Sequence, residues 1–575
     1  MSVSPPTRSP PERIGPLRSR RGCKTCRVRK IKCGEEKPSC HRCLTAKYKC
    51  EYSSNTNYSG TFSSASSAAT TSILDRPLST SPNAVMRERR AFAYYFQHAA
   101  PYLAGGLDQT FWGSVVPQIC RTEPAVWDAV NAISTLFESP KMCADFVFLS
   151  LRHEKAAFLD QEQSEALVWY SRSLSKIRTQ IDRGSVDPQV ALISCVLFVC
   201  IETLQGHVEE ALQLYYQGVR LILDLRANGG GGPNSSAALL ESTIMPLFIR
   251  LGTVALTYSG VPVCDLFDLI NLEGEYNFTS LEAARDALMP LAYKVLILQK
   301  DSGSNPWLGI EPNITPELLA TQITLQERLK QWYFAYTKLN QTTEPKGPSS
   351  NSSSNSDISI TALLLTYHTT LTMIVATCLT QSKSVYDAHT PEFRTILKQA
   401  STALDASASS DASQPTFTFE LGVGLPLFWT ALECREPSLR RRALALLQKA
   451  PPMQGFYKCA PGIALAGKIM QLEEGFARQI LIDKRAQDSE SCHLPTPPYD
   501  DTDDGNSDCL EIPEEARIRH YSVFRPRDQP FLLGPHDVSQ WERGSDQLYM
   551  RFTRYRPDCA YWEEWGLTDE IVPME

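Results

Sequence analysis

Residues 23–50 read CKTCRVRKIKCGEEKPSCHRCLTAKYKC and contain six cysteines. The spacing C-x2-C-x6-C occurs twice, with six residues between the two copies. The six cysteines are Cys23, Cys26, Cys33, Cys40, Cys43 and Cys50. Such a regular and dense set of thiols indicates metal ligands or disulfides.

The cysteine count suggests a particular kind of metal site. Zinc takes four ligands in a tetrahedron, and a Cys-x2-Cys pair presents two sulfurs to one ion. Six cysteines cannot form two separate sets of four. Two ions that share two bridging thiolates would each reach four sulfurs, so the sequence predicts two Zn²⁺ held by all six cysteines. A disulfide-stapled knot and a single-zinc ribbon are the alternatives.

Four cations lie between the second and third cysteines, in the stretch RVRKIK. On a short helix that starts near the second cysteine, we expect Arg29 and Lys30 to point away from the metal. Val28 and Ile31 are expected to pack toward it. A cation in the major groove can donate to guanine O6 and N7, a role that suits Lys30 and Arg29. Phosphate contacts, which position a module without reading sequence, are expected from Arg27, Lys32, Lys24 and Arg42.

These residues resemble the fungal binuclear zinc cluster (C6-type) transcription factors at all six cysteines and in the basic stretch. The resemblance implies two helix–loop halves around two Zn²⁺, with Cys23 and Cys40 as the bridging ligands. Pro38 stands where the family has a proline just before the fourth cysteine. The resemblance also implies that the first helix enters the major groove of double-stranded DNA at a CGG-type triplet. Lys30 holds the reading position, with Arg29 beside it.

Charge is divided unevenly along the chain. Residues 1–52 carry 14 Lys and Arg against four acids, and the whole chain has a net charge of -7. A strongly basic end on an acidic body is typical of a nucleic-acid-binding module attached to a regulatory domain. Residues 1–20 form a predicted basic disordered arm, and their cations together with those of the module (21–52) could direct nuclear import. Because residues 1–22 lack an apolar stretch, we expect no signal peptide. The basic runs beside the DNA-reading module predict a nuclear location. The apolar runs are too short to span a bilayer, so no membrane partner is expected.

The remainder predicts a large all-α regulatory domain after the small metal-nucleated zinc-cluster domain. Residues 53–85 form a Ser/Thr-rich linker without an apolar heptad pattern, so a homodimer would form through the helical body. Residues 86–485 show helical periodicity, with a disordered insertion predicted at 341–357. Residues 433–447 resemble the fungal regulatory region and fall in a predicted helix at 426–449. Arg440 to Arg442 are interpreted as a solvated helix start or a second basic signal.

The C-terminal part is predicted to contain little structure. Residues 488–515 hold ten acids and no Lys or Arg, so 486–520 is expected to be an acidic disordered segment. Residues 521–575 end in an acidic–aromatic tail (558–575), in which acids and aromatics could bind coactivators; packing on the helical body is the alternative.

No catalytic motif accompanies these features, which argues against an enzyme. The predicted function is a DNA-binding transcription regulator, with a metabolic or secondary-metabolite gene cluster as its candidate target. The alternative is a ligand- or partner-sensing helical protein in which DNA binding is auxiliary.

Overall fold

The computed structural model of the chain divides into two compact units, residues 1–75 and 76–575. The structure describes residues 23–36, 39–50, 82–139, 161–227, 239–259, 264–268, 270, 272–303, 314–342, 351–380, 382–409, 413–420, 422–491, 510–526, 547–555 and 567–574. The predicted basic arm and the predicted linker up to residue 81 lie outside these ranges.

The small unit contains two short helices, α1 (Lys24–Val28) and α2 (His41–Thr45). Its buried interior consists of five cysteines, with Cys50 packed against them. A module of this size buries too little apolar surface to fold alone, so sulfur ligands replace a hydrophobic core.

The large unit is built mainly from helices. In chain order they are α3 (Pro82–Tyr94), α4 (Ala100–Ala104), α5 (Val116–Ile119), α6 (Pro124–Glu138), α7 (Gln161–Asp182), α8 (Pro188–Leu204), α9 (Val208–Ala227), α10 (Met245–Ser259), α11 (Cys264–Phe267), α12 (Leu281–Asp301), α13 (Pro316–Thr342), α14 (Asn351–Thr377), α15 (Thr390–Ser407), α16 (Gly424–Glu433), α17 (Pro437–Lys449) and α18 (Cys459–Ser491). The mostly helical body agrees with the predicted fold class.

Local sequence explains where several helices begin. Asp187 caps α8 by accepting a hydrogen bond from the Gln189 backbone N–H at 2.8 Å, and Pro188 occupies the first helical position. Ser280 caps α12 in the same way through the Ala283 N–H at 3.1 Å. Such caps satisfy backbone donors that have no partner inside the helix.

Two large apolar clusters hold the body together, one centred on the helices from α3 to α14 and one on α14 to α18. Two segments are long and apolar enough to cross a membrane, residues 240–257 and 355–377. They are 67% and 56% buried inside the body. Packing against neighbouring helices therefore accounts for their apolar composition.

The predicted single helix at 426–449 is wrong, because the structure has two helices there. α16 ends at Glu433 and α17 begins at Pro437, after residues in extended conformation. A proline disfavours helical backbone in the residue before it and is accommodated at the first position of a new helix.

Both interpretations of the following arginines also fail for Arg440, which is only 1% exposed. It donates to Glu473 on α18 at 2.7 Å and to the Ala431 carbonyl at 2.9 Å. Arg435 pairs with the same Glu473 at 3.0 Å. This buried charge cluster joins α16, α17 and α18.

Strands complete the large unit. β1 (Phe417–Thr418), β2 (Met453–Gln454) and β3 (Tyr457–Lys458) form a small sheet. A second, antiparallel sheet has the order β4 (Ile518–Phe524), β5 (Tyr549–Tyr555) and β6 (Leu567–Pro573). Met550 and Phe552 of β5 are fully buried in the second apolar cluster.

These strands correct the predicted domain boundaries. The expected disordered segment 486–520 contains the end of α18, a 3-10 turn at Glu514–Ala516 and the start of β4. Part of the expected acidic–aromatic tail is β6, and Glu570 accepts from Arg554 at 2.8 Å. In the predicted insertion 341–357, α13 reaches Thr342 and α14 begins at Asn351, while residues 343–350 lie outside the described residues. Amino-acid composition predicted disorder in these segments. That prediction failed because the residues that pair across the strands are far apart in sequence.

Candidate metal centre and nucleic-acid interface

The two halves of the small unit share one backbone conformation. α1 and α2 begin 17 residues apart, each directly after the first cysteine of its half. The turn after each helix holds a lysine with positive φ, 53° at Lys30 and 52° at Lys47. The repeat in cysteine spacing is therefore also a repeat in three dimensions, and Lys30 and Lys47 occupy equivalent positions.

Four sulfurs form a compact group. The Sγ atoms of Cys23, Cys26, Cys40 and Cys43 all lie within 4.8 Å of one another. The distance from Cys23 is 3.7 Å to both Cys40 and Cys43, and from Cys26 it is 3.6 and 3.7 Å to the same two. Sulfurs around a tetrahedral zinc ion at 2.3 Å are about 3.8 Å apart. The spacing and the all-thiolate donor set fit zinc.

The remaining two sulfurs flank this group in symmetric positions. Cys33 Sγ accepts a hydrogen bond from the Cys23 backbone N–H at 3.3 Å, and Cys50 Sγ accepts from the Cys40 N–H at 3.3 Å. N–H donors of this kind favour the thiolate form that binds metal. The structure thus brings all six predicted ligands into one cage.

Crowding shifts the pKa values of the thiols in opposite directions. Burial opposes ionisation of Cys40, but hydrogen bonds from the Cys43 backbone N–H and from neighbouring thiols outweigh it and lower the pKa of Cys40 to about 6. Burial and hydrogen bonds with Cys40 and Cys23 raise the pKa of Cys43 to about 12. Burial also raises the pKa of Cys26. These thiols cannot all ionise together near neutral pH unless a cation offsets their charge, which a bound metal does.

The predicted DNA-contacting cations differ in the element that carries them and in how far their side chains are described as exposed. Four of them are exposed, namely Lys24, Lys30, Lys32 and Arg42. The backbone of Arg27 lies in α1, and its side chain is outside the described part of the module. Lys30 lies in the turn after α1 and not on the helix itself, because α1 ends at Val28.

Arg29 makes a contact that the sequence did not reveal. Its guanidinium lies over the ring of Tyr48, 4.1 Å from the ring centroid, so a residue of the first half stacks on a residue of the second. Its Nη1 is buried without a hydrogen-bond partner among the described residues. At the equivalent positions the chain has Ala46 and Ile31, so the stacking has no counterpart in the other direction. A nearby bond from Thr25 Oγ1 to the Lys49 carbonyl, 2.7 Å, also joins the halves.

The expected packing of Val28 and Ile31 toward the cage is wrong. Val28 is 74% exposed and Ile31 is 39% exposed. The cage interior is already filled by sulfurs, which leaves no apolar surface for these side chains to cover.

Family models match both units of the chain. The fungal Zn(2)-Cys(6) binuclear cluster domain matches residues 21–59, and the fungal specific transcription factor domain matches residues 90–459, more than half of the chain. The chain belongs to the fungal zinc cluster transcription factors. Its cysteine cage is accordingly a zinc-binding site, and the family is one of transcription factors and not of enzymes.

Relatives of this zinc cluster transcription factor are also regulators. An uncharacterised transcriptional regulatory protein of Schizosaccharomyces pombe is 31% identical over 134 residues, 20% of this chain and 24% of the relative. The aspercryptin biosynthesis cluster-specific transcription regulator atnN of Emericella nidulans is 26% identical over 263 residues, 42% of this chain and 40% of the relative. The chain thus spans well under half of the length of these relatives. No solved structure matches.

Proposed function

We propose that this chain is a nuclear regulator of RNA polymerase II transcription that binds DNA sequence-specifically through its cysteine module. The main support is the set of 3.6–3.7 Å sulfur spacings directly beside exposed cations. Zinc fixes the module, phosphate contacts hold it on the duplex, and one half presents its turn to the bases.

Two Zn²⁺ are proposed in the cage, with Cys23 and Cys40 bridging as in the family that the sequence resembles. The symmetric placement of Cys33 and Cys50 on either side of the four central sulfurs supports two ions. Native mass spectrometry of the full chain should find two zinc ions per chain. One ion per chain would establish the single-zinc alternative.

Lys30 is the proposed base-reading residue, at a CGG-type triplet. It is exposed at the tip of its turn, whereas Arg29 beside it is stacked on Tyr48. The exposed Lys24, Lys32 and Arg42 are proposed to contact phosphates, together with Arg27.

Lys47 offers a matched control, because it occupies the same left-handed turn in the other half. Affinities for duplexes with and without a CGG triplet can be measured by fluorescence anisotropy at fixed salt. Lys30→Ala should reduce the preference for CGG by about tenfold, as expected for one base contact, and Lys47→Ala should preserve it. An equal loss of preference in both variants would refute the assignment of Lys30.

Further proposals concern the rest of the molecule. The relative named for aspercryptin biosynthesis supports a role in a secondary-metabolite gene cluster, which genome-wide mapping of binding sites would test. A homodimer through the helical body is proposed because the linker lacks a heptad pattern, and light scattering of the full chain would measure it.

Coactivator binding is proposed for residues 558–575, of which 567–573 are part of the sheet. Trp562→Ala with Trp565→Ala should lower reporter activation at unchanged protein level.

A further inference from the structure

The helical body contains a cavity of about 420 Å³ that the DNA-binding role does not use. Helices α10, α12, α14 and α16 form its walls, and strand β4 contributes Tyr521. Its volume falls within the range of sites that hold drug-sized molecules. The apolar wall includes Val254, Leu296, Leu371, Ile374, Phe428 and Leu432.

Several polar side chains of the cavity come from the ends of the helices that line it. Thr257 lies in the last turn of α10, Gln299 in the last turn of α12, and Glu433 is the last residue of α16. Glu433 is already paired with Lys383 at 2.7 Å, so it brings no uncompensated charge. The lining also includes Lys300, in the last turn of α12, and Thr370, within α14. The site is therefore apolar along most of its length, with polar groups at several points of its wall.

One hydrogen-bond donor of the lining is left unused. The indole N–H of Trp429 is buried and has no partner among the described residues. Its ring is fixed by Tyr386 and Phe393, at centroid distances of 5.6 and 5.7 Å. A buried donor without an acceptor is unfavourable, and buried Trp N–H groups usually find a partner. A bound molecule that placed an oxygen at this N–H would supply the missing acceptor.

We propose that this cavity binds a mostly apolar small molecule that carries a carbonyl or hydroxyl oxygen. The apolar wall contacts the body of the molecule, and the oxygen accepts the Trp429 N–H. Because Tyr521 belongs to β4, such a molecule would touch both the helices and the C-terminal sheet. The proposal does not depend on DNA reading by the cysteine module, so the two can fail separately.

Nile red, a neutral dye with a carbonyl oxygen, is a suitable probe because its fluorescence rises in apolar sites. Titration of the full chain without DNA should show saturable binding of one dye per chain. Ala292 lines the cavity, so Ala292→Phe should fill it and weaken binding at least tenfold. Ala287 lies on the same helix outside the lining, and Ala287→Phe should leave binding unchanged.

Trp429→Phe keeps an aromatic ring and removes only the donor, so it should weaken binding about threefold to tenfold. Far-UV circular dichroism would reveal whether Ala292→Phe folds. If it does not fold, Trp429→Phe tests the proposal. Absence of saturable binding would overturn the proposal. So would unchanged affinity in folded Ala292→Phe, or in Trp429→Phe.

Discussion

The cysteine module and the helical body are stabilised in opposite ways. In the module, the interior consists of cysteines within residues 23–50, and the hydrogen bond from Thr25 to Lys49 that joins its two halves spans 24 residues. In the body, Arg285 pairs with Glu420 at 2.5 Å and with Asp108 at 3.1 Å, across 135 and 177 residues. All three side chains are largely buried.

This difference means that the two units should respond to different perturbations. The module depends on a bound ion, and its sequence spacing alone specifies where the ligands lie. The body depends on apolar packing and on charge clusters that form only after distant helices meet. Conditions that remove metal should affect the first and leave the second intact.

The largest expected effect is that of zinc removal. Structural zinc supplies about 10–16 kcal/mol to folding in small zinc modules, so a chelator should unfold residues 23–50 and abolish DNA binding. Hydrogen–deuterium exchange of the full chain should show loss of protection in peptides from 23–50 only. Cys40→Ser should reproduce this loss, whereas Cys378→Ser, a thiol of the body, should not. Equal loss of protection in body peptides would contradict the separation of the two units.

In the body, a large loss of stability is expected when Glu473 is substituted. It is fully buried between Arg435 and Arg440 and also accepts the Ile518 backbone N–H at 2.8 Å. Glu473→Ala leaves two buried arginines without their carboxylate and should destabilise the body by about 3–5 kcal/mol, measured by urea unfolding. Glu473→Gln should fall between this variant and the wild type.

The exposed Arg442 is the control for that experiment, and Arg442→Ala should change stability by less than about 0.5 kcal/mol. Zinc content should stay unchanged in all three variants. A Glu473→Ala body as stable as the wild type would show that the cluster is not stabilising.

Acid should weaken the body through His520 of β4. Burial, with Lys383 and Arg519 nearby, lowers the pKa of His520 to about 4. The unfolded chain takes up this proton near pH 6.5 and the folded chain only near pH 4, so stability is present above pH 6.5 and decreases as pH falls toward 4. The loss should reach about 3 kcal/mol. His520→Gln should flatten the pH dependence of urea unfolding; an unchanged slope would exclude this histidine as its source.

The smallest expected effect concerns the contact between the halves of the module. Removing a partly exposed cation–π contact costs about 1 kcal/mol, so Tyr48→Ala should lower, by about fivefold, the chelator concentration that strips half of the zinc. Tyr48→Phe retains the ring and should behave like the wild type. Similar losses in both variants would indicate that the hydroxyl, and not the stacking, matters.

The sequence predicted the metal ligands of the module better than the other side-chain contacts within it. Ligand spacing is a local property, so the six cysteines and their grouping followed from the pattern, and the two helix–loop halves followed from the resemblance to the family. The stacking of Arg29 on Tyr48 did not, because it depends on how one half is oriented on the other. The exposure of Val28 was missed because apolar residues were assumed to need an apolar core.

In the body, the helical periodicity of residues 86–485 predicted the mostly helical architecture, since one face of each helix must be buried. Periodicity could not reveal that Arg440 is internal, because its partner Glu473 is 33 residues away. The C-terminal sheet was missed for a related reason. Its strands carry charged residues, and the ion pair of Arg554 with Glu570 forms only when β5 and β6 are paired.

The left-handed lysines of the module suggest a route to engineering it. A lysine at positive φ is strained by about 1 kcal/mol relative to glycine or asparagine. At position 30 that strain belongs to the proposed base-reading residue, whereas no base-reading role is proposed for Lys47 in the equivalent turn. Lys47→Asn or Lys47→Gly should therefore make the module more stable and leave its proposed DNA target sequence unchanged.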